Sequence, residues 1–379
     1  RDQDAMVDTI NGFIEVYMDA RGVKGAWEAL VYYVNPEKTR RIERIAAHAQ
    51  WFEDHMPWEA RFCRPKASGI TARAIDVVIE TGESGPITPV GINLPNEQSV
   101  REQHGSKSVS LANVAAAYER SQHEGLRAEF CWDEGELARS KRWSATAGDL
   151  TTDLHEVVGH GSGRMADGIT DSPQVLLKEH ASATEEARAD LVALYFIADP
   201  VIVELGLVDA ADHAELVRAE YEGYARNAIV QLRRVGDAAT IEEDHLRNRQ
   251  MIVHWLLAQT SAIEERRRDG KTYFVVVDVE AFRAGCGRLL AEVQRIKGTG
   301  DYAAAKTLFD TYGIAVRVPL RDEVQARVAP LNVPVYTGFV MPRLEPVQDA
   351  SGAIVDVAIS YPQDLTTQML EYSAITEAT

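Results

Sequence analysis

Two histidines, His155 and His160, lie five residues apart in a stretch with helical periodicity. In a regular α-helix, residues four apart differ by about 40° around the axis, so two imidazoles at that spacing can hold one metal ion. At a spacing of five the angle is about 140°, and the two rings would diverge. A helix that takes in one extra residue as a π-type bulge brings them together again. The spacing therefore predicts a bulged helix, and Gly159 lies where such a backbone distortion would cost least.

A second, acidic stretch supplies what two histidines lack. Catalytic zinc usually takes three protein ligands and a water, and two histidines with one glutamate form a common set. Glu186 is the expected third ligand. Glu185 and Asp190 lie beside it on the same predicted helix, and each could accept the ring N–H of one ligand histidine, fixing its tautomer. Glu156 follows the first histidine and would be the general base that takes a proton from a zinc-bound water.

These two motifs resemble those of the dipeptidyl peptidase III family of zinc exopeptidases. Further matches follow in the same order along the chain: Phe13–Tyr17, Tyr33–Asn35, Gly91–Asn96, Arg101, Gly105–Val114, Asp244–Arg249 and Ile296–Asp301 through Gly313. Typical members of the family are longer, and this chain opens on Arg1. An N-terminally truncated sequence and a compact branch of the family both fit that length.

The resemblance implies an α+β fold of two lobes with the active-site cleft between them. We expect a mostly helical, zinc-binding catalytic lobe and a mixed α/β, substrate-binding lobe that interleave in sequence. The helical lobe would comprise residues 36–76 and 123–322, and the mixed lobe residues 1–35, 77–122 and 323–379.

The resemblance also implies roles in catalysis for two residues outside the metal motifs. Peptide hydrolysis at a metal needs hydrogen-bond donors that stabilise the oxyanion of the tetrahedral intermediate. By their match to the family's motifs, Tyr17 and His245 would supply that stabilisation.

Five further residues are expected to bind the substrate by the same resemblance. Glu15, Asn93 and Asn96 would hold the free ammonium end of a peptide, for which a carboxylate and amide oxygens are suitable acceptors. Arg101 would bind a carbonyl or carboxylate farther along the peptide, and Arg249 is placed with the substrate-binding residues as well. We expect Arg188 to point away from the zinc.

The pattern of apolar residues predicts a helical centre between strand-rich ends. A helix is expected in the opening residues, before the strand Ala29–Val34. The other predicted segments are a helix at 38–55, strands at 75–80 and 88–94, helices at 136–160, 183–198, 210–234, 241–267, 279–297 and 301–311, strands at 273–277, 316–318 and 353–359, and a last short helix. His180 is the one histidine outside the motifs that we expect near the outer part of the metal site.

Composition excludes some classes of partner. A formal charge of −18 disfavours nucleic acid and anionic membranes as partners. The longest apolar run, Leu191–Ala198, is far shorter than the about 20 residues that a membrane-spanning helix needs. Three distant cysteines, Cys63, Cys131 and Cys286, imply no disulfide framework. We expect a cytoplasmic enzyme.

Together these features predict a zinc-dependent exopeptidase that releases N-terminal dipeptides from short oligopeptides and binds one zinc ion (Zn2+) per chain. Two alternatives remain open from the residues alone. One is a metallohydrolase of the same fold that acts on a non-peptide amide or another small molecule. The other is a non-catalytic peptide-binding protein. Side-chain preference and oligomeric state are not encoded in any of these motifs.

Overall fold

Helices and a mixed sheet, as expected for an α+β protein, make up the computed structural model. It describes residues 5–12, 27–67, 70–82, 84, 88–94, 100, 106–121, 124–333, 338–362 and 364–375. No helix in these ranges combines the length and the hydrophobicity that a bilayer crossing requires.

Five strands form one mixed sheet in the order β1-β2-β3-β5-β4. Strands β3 and β5 run parallel, and the other neighbouring pairs are antiparallel. The bounds are β1 Val7–Gly12, β2 Glu28–Val34, β3 Ile70–Gly82, β4 Gly91–Leu94 and β5 Ser106–Leu111. Two separate hairpins are formed by β6 Ile263–Arg268 with β7 Lys271–Val276, and by β8 Arg343–Gln348 with β9 Ile354–Ser360.

Most of the described chain after β5 is helical. The α-helices are α1 Pro36–Ala47, α2 Ala49–Asp54, α3 Ala112–Arg120, α4 Glu124–Phe130, α5 Glu134–Leu154, α6 Pro173–Leu177, α7 Ala181–Phe196, α8 Val201–Glu204, α9 His213–Val230, α10 Asp244–Gln259, α11 Val279–Thr299, α12 Tyr302–Tyr312, α13 Val318–Val328 and α14 Leu365–Ile375. Short 3₁₀ turns lie at Ala60–Phe62, Lys178–His180, Gln231–Arg234 and Ala329–Leu331.

Two hydrophobic cores organise these elements. The larger core is built mainly from the helices, and the smaller core covers the five-stranded sheet and includes Leu30, Val77 and Phe339. Helix α7 lies at the centre of the larger core, where it packs against α5, α10 and α11. Its residues are buried on nearly every side, as its long apolar run predicts.

The opening helix that we predicted is wrong for the part that the structure describes. Residues Val7–Gly12 form a strand, which pairs with β2 and places Ile10 opposite Leu30. Both of these side chains are buried in the sheet core. Packing between the two strands therefore decides the conformation here. The local pattern of apolar residues carries no information about that packing.

The predicted helix at 241–267 ends early, at Gln259. The chain turns into the hairpin β6–β7, whose turn residues Asp269 and Gly270 both have positive φ. Asp-Gly is a preferred pair for the tight turn of a two-residue hairpin, because that turn needs positive φ at both positions. The turn signal was present in the sequence, and the strand before it was mistaken for helix.

The predicted strand at 316–318 is also wrong. Val318 begins helix α13, with Pro319 in its first turn, where the fixed φ of proline suits a helix. The extended backbone is limited to one isolated bridge between Thr240 and Ala315. By contrast, β9 and the final helix lie where the pattern predicts them, although β8, the partner of β9, was missed.

Candidate metal centre

The bulged helix predicted from the histidine spacing is present. Helix α5 continues into a π-helical turn, His155–Gly159. The N–H of His160 donates to the carbonyl oxygen of His155 at 3.0 Å, which is the five-residue bond of a π turn. The ring centroids of the two histidines lie 4.8 Å apart, with the ring planes at 84°.

Gly159 is needed for a reason other than the one that we predicted. Its φ lies outside the left-handed region that favours glycine. A Cβ added at Gly159 would lie 2.8 Å from both the Cα and the Cβ of Ala189 on helix α7. Close packing of the π turn on α7 therefore excludes any side chain here, and this packing brings the histidines to the acidic residues of α7.

The structure brings together the three predicted metal ligands. Ligand atoms of His155, His160 and Glu186 all lie within 4.8 Å of one another. Nε2 of His155 is 3.3 Å from Oε2 of Glu186, and Nε2 of His160 is 3.9 Å from Oε1. Adjacent ligand atoms around a tetrahedral zinc are about 3.3 Å apart, given metal–ligand bonds of about 2 Å. The donor set and its spacing therefore fit a metal ion.

Asp190 is the hydrogen-bond partner of the other ring nitrogen of His155, Nδ1. The distance from Nδ1 of His155 to Oδ1 of Asp190 is 2.8 Å, and the hydroxyl of Tyr224 donates to Oδ2 of Asp190 at 2.7 Å. Burial opposes ionisation of Asp190, but its hydrogen bond to His155 lowers the pKa of this carboxyl. These contacts occupy Nδ1 of His155 and leave Nε2, the nitrogen near Glu186, to bind the metal.

Glu185 is the hydrogen-bond partner of His160: the distance from Oε1 of Glu185 to Nδ1 of His160 is 2.9 Å. Arg188 binds the same carboxylate through Nε and Nη2 at 3.1 and 2.6 Å, and Lys297 reaches Oε2 at 2.5 Å. Burial opposes ionisation of Glu185, yet Arg188, Lys297 and His160 hold its pKa well below its usual range. Arg188, which we expected to point away from the zinc, is fully buried and binds Glu185, the partner of His160.

Glu156, the expected general base, lies against strand β4. A Cβ added at Gly91 of strand β4 would overlap Oε1 of Glu156, so the carboxylate lies directly against that strand. Strand β4 is the terminal strand among those described in the sheet. Because a Cβ projects from the face of a sheet, Glu156 packs on the face of β4.

His245 lies beside the ligand carboxylate. It is in the first turn of helix α10, where Glu243 accepts its backbone N–H. Nδ1 of His245 is 3.7 Å from Oε2 of Glu186, and the side chain is 48% exposed. A group that is open to solvent at this distance is available to a bound substrate, although its role stays a prediction.

Arg249 lies one turn farther along α10. Its Nη1 donates to Gln231 at 3.0 Å, and its guanidinium carbon is 5.7 Å from the ring centroid of Tyr224. Its positive charge also acts on Asp190, whose pKa it helps to lower. These contacts are with protein groups, and a role in substrate binding stays a prediction.

The predicted catalytic residue Tyr17 and four of the predicted substrate-binding residues cannot be placed. Glu15, Tyr17, Asn96 and Arg101 lie outside the described residues. Asn93 belongs to strand β4 by its backbone, and its side chain lies outside the described part. All five assignments stay predictions.

His180 does not take the place expected of it. It is buried, and its ring contacts Tyr302 and Phe309 of helix α12 at centroid distances of 5.6 and 5.7 Å. The residues that support Glu185 and Asp190 are instead Arg188, Lys297 and Tyr224. A spacing of three from Glu185 was a signal for Arg188. Lys297 and Tyr224 come from distant helices and carried no local signal.

Comparison with known proteins identifies the family of this chain. The model of peptidase family M49 matches residues 1–173 and 167–345. Dipeptidyl peptidase 3 of Mus musculus is 27% identical over 370 residues, which cover 86% of this chain and 49% of the mouse protein. The chain thus spans about half the length of this relative.

Two solved structures share the fold. A dipeptidyl-peptidase III from Corallococcus sp. strain EGB superposes with a TM-score of 0.73 at 27% identity, covering 88% of this chain and 59% of that one. DPP III from Caldithrix abyssi gives a TM-score of 0.71 at 24% identity, with 88% and 60% covered. Since the family model matches nearly the whole chain, this protein belongs to peptidase family M49.

Proposed function

We propose that this chain acts as a zinc-dependent exopeptidase that releases N-terminal dipeptides from short oligopeptides. The observation that carries the proposal is the convergence of His155, His160 and Glu186, with Glu156 on the same π turn. Membership of peptidase family M49 supports hydrolysis of peptides. The relatives named dipeptidyl peptidase 3 support the release of dipeptides.

Zinc is the metal that suits this donor set. Two imidazoles and one carboxylate are a common set in catalytic zinc sites, which leave one position for water or substrate. When bound, zinc would polarise the scissile carbonyl and lower the pKa of a water molecule. We propose one Zn2+ per chain, held by His155, His160 and Glu186.

Glu156 would move the proton during hydrolysis. Its carboxylate would accept a proton from the attacking water and then deliver it to the leaving amine. Its place on the π turn, directly after the ligand His155, supports this role. His245, beside Glu186, and Tyr17 would donate to the developing oxyanion.

The edge of strand β4 would hold the peptide. An extended peptide can add to an exposed strand edge through main-chain hydrogen bonds. Glu15, Asn93 and Asn96 would bind the ammonium end, and Arg101 and Arg249 the part beyond the cleaved bond. Burial of the ammonium at a fixed distance from the metal would set cleavage after the second residue.

We also propose a cytoplasmic location, because the unpaired thiols Cys131 and Cys286 suit a reducing compartment.

The experiment compares matched pentapeptides with free and acetylated N-termini, with products identified by mass. We expect dipeptides from the free peptide and strong rejection of the acetylated one, because acetylation leaves the buried acceptors without their charged partner. Glu156→Gln serves as the inactive control. Equal rates on both peptides, or release of single residues, would contradict the proposal. Binding of peptides without cleavage would favour a non-catalytic peptide-binding protein.

A further inference from the structure

We propose that Arg188 and Lys297 are positioning residues that fix the tautomer and the orientation of the ligand His160 through Glu185. The inference rests on the proposed metal site. It assigns a role to two cationic side chains that lie outside the set of ligands, base and substrate-binding residues. Arg188 comes from helix α7, and Lys297 from helix α11.

Glu185 accepts hydrogen bonds from both cations. Its Oε1 receives Arg188 Nη2 at 2.6 Å and faces Nδ1 of His160 at 2.9 Å. Its Oε2 receives Arg188 Nε at 3.1 Å and Lys297 Nζ at 2.5 Å. A carboxylate offers about four acceptor positions, and guanidinium and ammonium groups can only donate. The two cations therefore hold both oxygens of Glu185 as acceptors.

This arrangement decides which ring nitrogen of His160 carries its proton. A carboxylate that can only accept requires the hydrogen on Nδ1 of His160, since a neutral imidazole has one donor and one acceptor nitrogen. The lone pair then lies on Nε2, the atom that faces Glu186. Only this tautomer leaves Nε2 free to bind a metal.

Arg188 also anchors the chain that follows His160. Its Nη1 donates to the carbonyl oxygen and to the hydroxyl of Ser162, at 3.2 and 3.1 Å. The next residue, Gly163, donates its N–H to the buried carboxylate of Glu53 at 3.1 Å. One guanidinium thus connects Glu185 on helix α7 to the segment just beyond the ligand, so both the imidazole and its backbone are held.

The other ligand histidine is supported differently. Asp190 receives His155 and the neutral hydroxyl of Tyr224. A hydroxyl can donate or accept, so it does not force Asp190 to accept in the way that two cations force Glu185. Loss of the cations is therefore expected to affect His160 and to leave His155 in place.

The test measures zinc affinity, by competition with a chromogenic chelator, and the absorption spectrum of the Co2+-substituted protein. The variants are Lys297→Met, which removes only the charge and the donors, and Arg188→Lys, which keeps the charge but loses the forked geometry. We expect zinc affinity to fall about 10- to 100-fold in each, as for other residues that orient a metal-binding histidine. The Co2+ spectrum should change, and Lys297→Arg should restore both properties.

The chain offers a control, because Glu129 is also held by one lysine and one arginine, Lys271 and Arg327, although Lys271 is more exposed than Lys297. Lys271 Nζ lies 2.9 Å from Oε1 of Glu129, and Arg327 Nε lies 2.8 Å from it. Lys271→Met and Arg327→Lys should lower thermal stability and leave zinc affinity and the Co2+ spectrum unchanged.

Each outcome decides between a positioning role and a structural one. Zinc affinity within about twofold of wild type in folded Lys297→Met and Arg188→Lys, with an unchanged Co2+ spectrum, would overturn the inference. Failure of Lys297→Met to fold while Lys271→Met folds would also overturn it. If the wild-type protein itself binds no zinc, the proposed metal site fails, and that result is separate from failure of the inference.

Discussion

At the scale of single residues, Glu156 and Glu186 show how surroundings divide roles between two carboxylates. Glu186 is buried beside three imidazoles, and burial opposes its ionisation, but His160 and the other two rings lower its pKa. Glu156 is half-buried and lies against strand β4. A carboxylate enclosed by ring nitrogens suits a metal ligand, whereas a partly exposed one that follows a ligand histidine suits a proton acceptor.

This division predicts different consequences for two amide substitutions. Glu156→Gln should keep zinc and lower kcat by about two to four orders of magnitude, because it removes the proton acceptor alone. Glu186→Gln should lose zinc, since the amide is a poor ligand. Metal analysis and kcat measured on the same preparations test the assignment. Equal metal loss in both variants would show that the roles are wrongly divided.

The sequence could predict the ligands, because they lie in two short motifs whose spacing is set by helix geometry. It could not predict Lys297 or Tyr224. Lys297 meets Glu185, and Tyr224 meets Asp190, only after the helices pack. Arg188 did carry a local signal, because it lies three residues from Glu185 and a buried carboxylate is costly without a cation.

At the scale of elements, the site depends on close packing between the π turn and helix α7. Both elements are buried, and Gly159 meets Ala189 without room for a methyl group. The histidine spacing predicted the π turn because the alternative, a regular helix, would separate the rings. Strand β7 lies where the pattern predicts a strand, but β6 was missed because the charged, mostly exposed Ile263–Arg268 lacks the apolar alternation typical of a half-buried strand.

Gly159→Ala should therefore weaken both the fold and the metal site. The added Cβ would force the π turn from helix α7, with an expected loss of about 1–3 kcal/mol in the free energy of unfolding and weaker zinc binding. Gly148→Ala is the matched control. Gly148 lies in helix α5, which leads into the π turn, and a Cβ added there would meet nothing within 4 Å.

The control should be neutral or stabilise the protein by up to about 1 kcal/mol. Chemical denaturation and zinc titration of both variants give the two readouts. Equal zinc affinity in Gly159→Ala and wild type would show that the site tolerates separation of the π turn from the helix.

At the scale of the whole molecule, the chain has two hydrophobic cores, and we expect them to be sufficient for folding without a metal. The sheet core also contains a buried carboxyl group, Glu80, which accepts the hydroxyl hydrogen of Thr88. Burial raises the pKa of Glu80 to about 7. The folded state therefore binds a proton more tightly than the unfolded chain, whose glutamate pKa is near 4.5.

This difference predicts how stability changes with pH. Because the folded state holds the extra proton between about pH 4.5 and 7, the contribution of Glu80 is fully present below that window and is lost as the pH rises through it. The loss is on the order of 3 kcal/mol. Glu80→Gln should remove this fall in the free energy of unfolding with rising pH. Glu345→Gln on the exposed strand β8 should leave the fall in place. Urea unfolding of the metal-free proteins at several pH values tests it, and parallel curves for wild type and Glu80→Gln would contradict it.

His155, His160 and Glu186 should together hold one catalytic zinc, and the metal content of the protein tests this most directly. Zinc per chain is measured in purified wild-type protein and in His155→Ala, with far-UV circular dichroism as the check on folding. We predict one zinc per wild-type chain, almost none in His155→Ala, and the same helical content in both. Chelation should abolish peptide cleavage, and added zinc should restore it. A wild-type protein without stoichiometric metal, or a His155→Ala variant that keeps its full zinc, would contradict the claim.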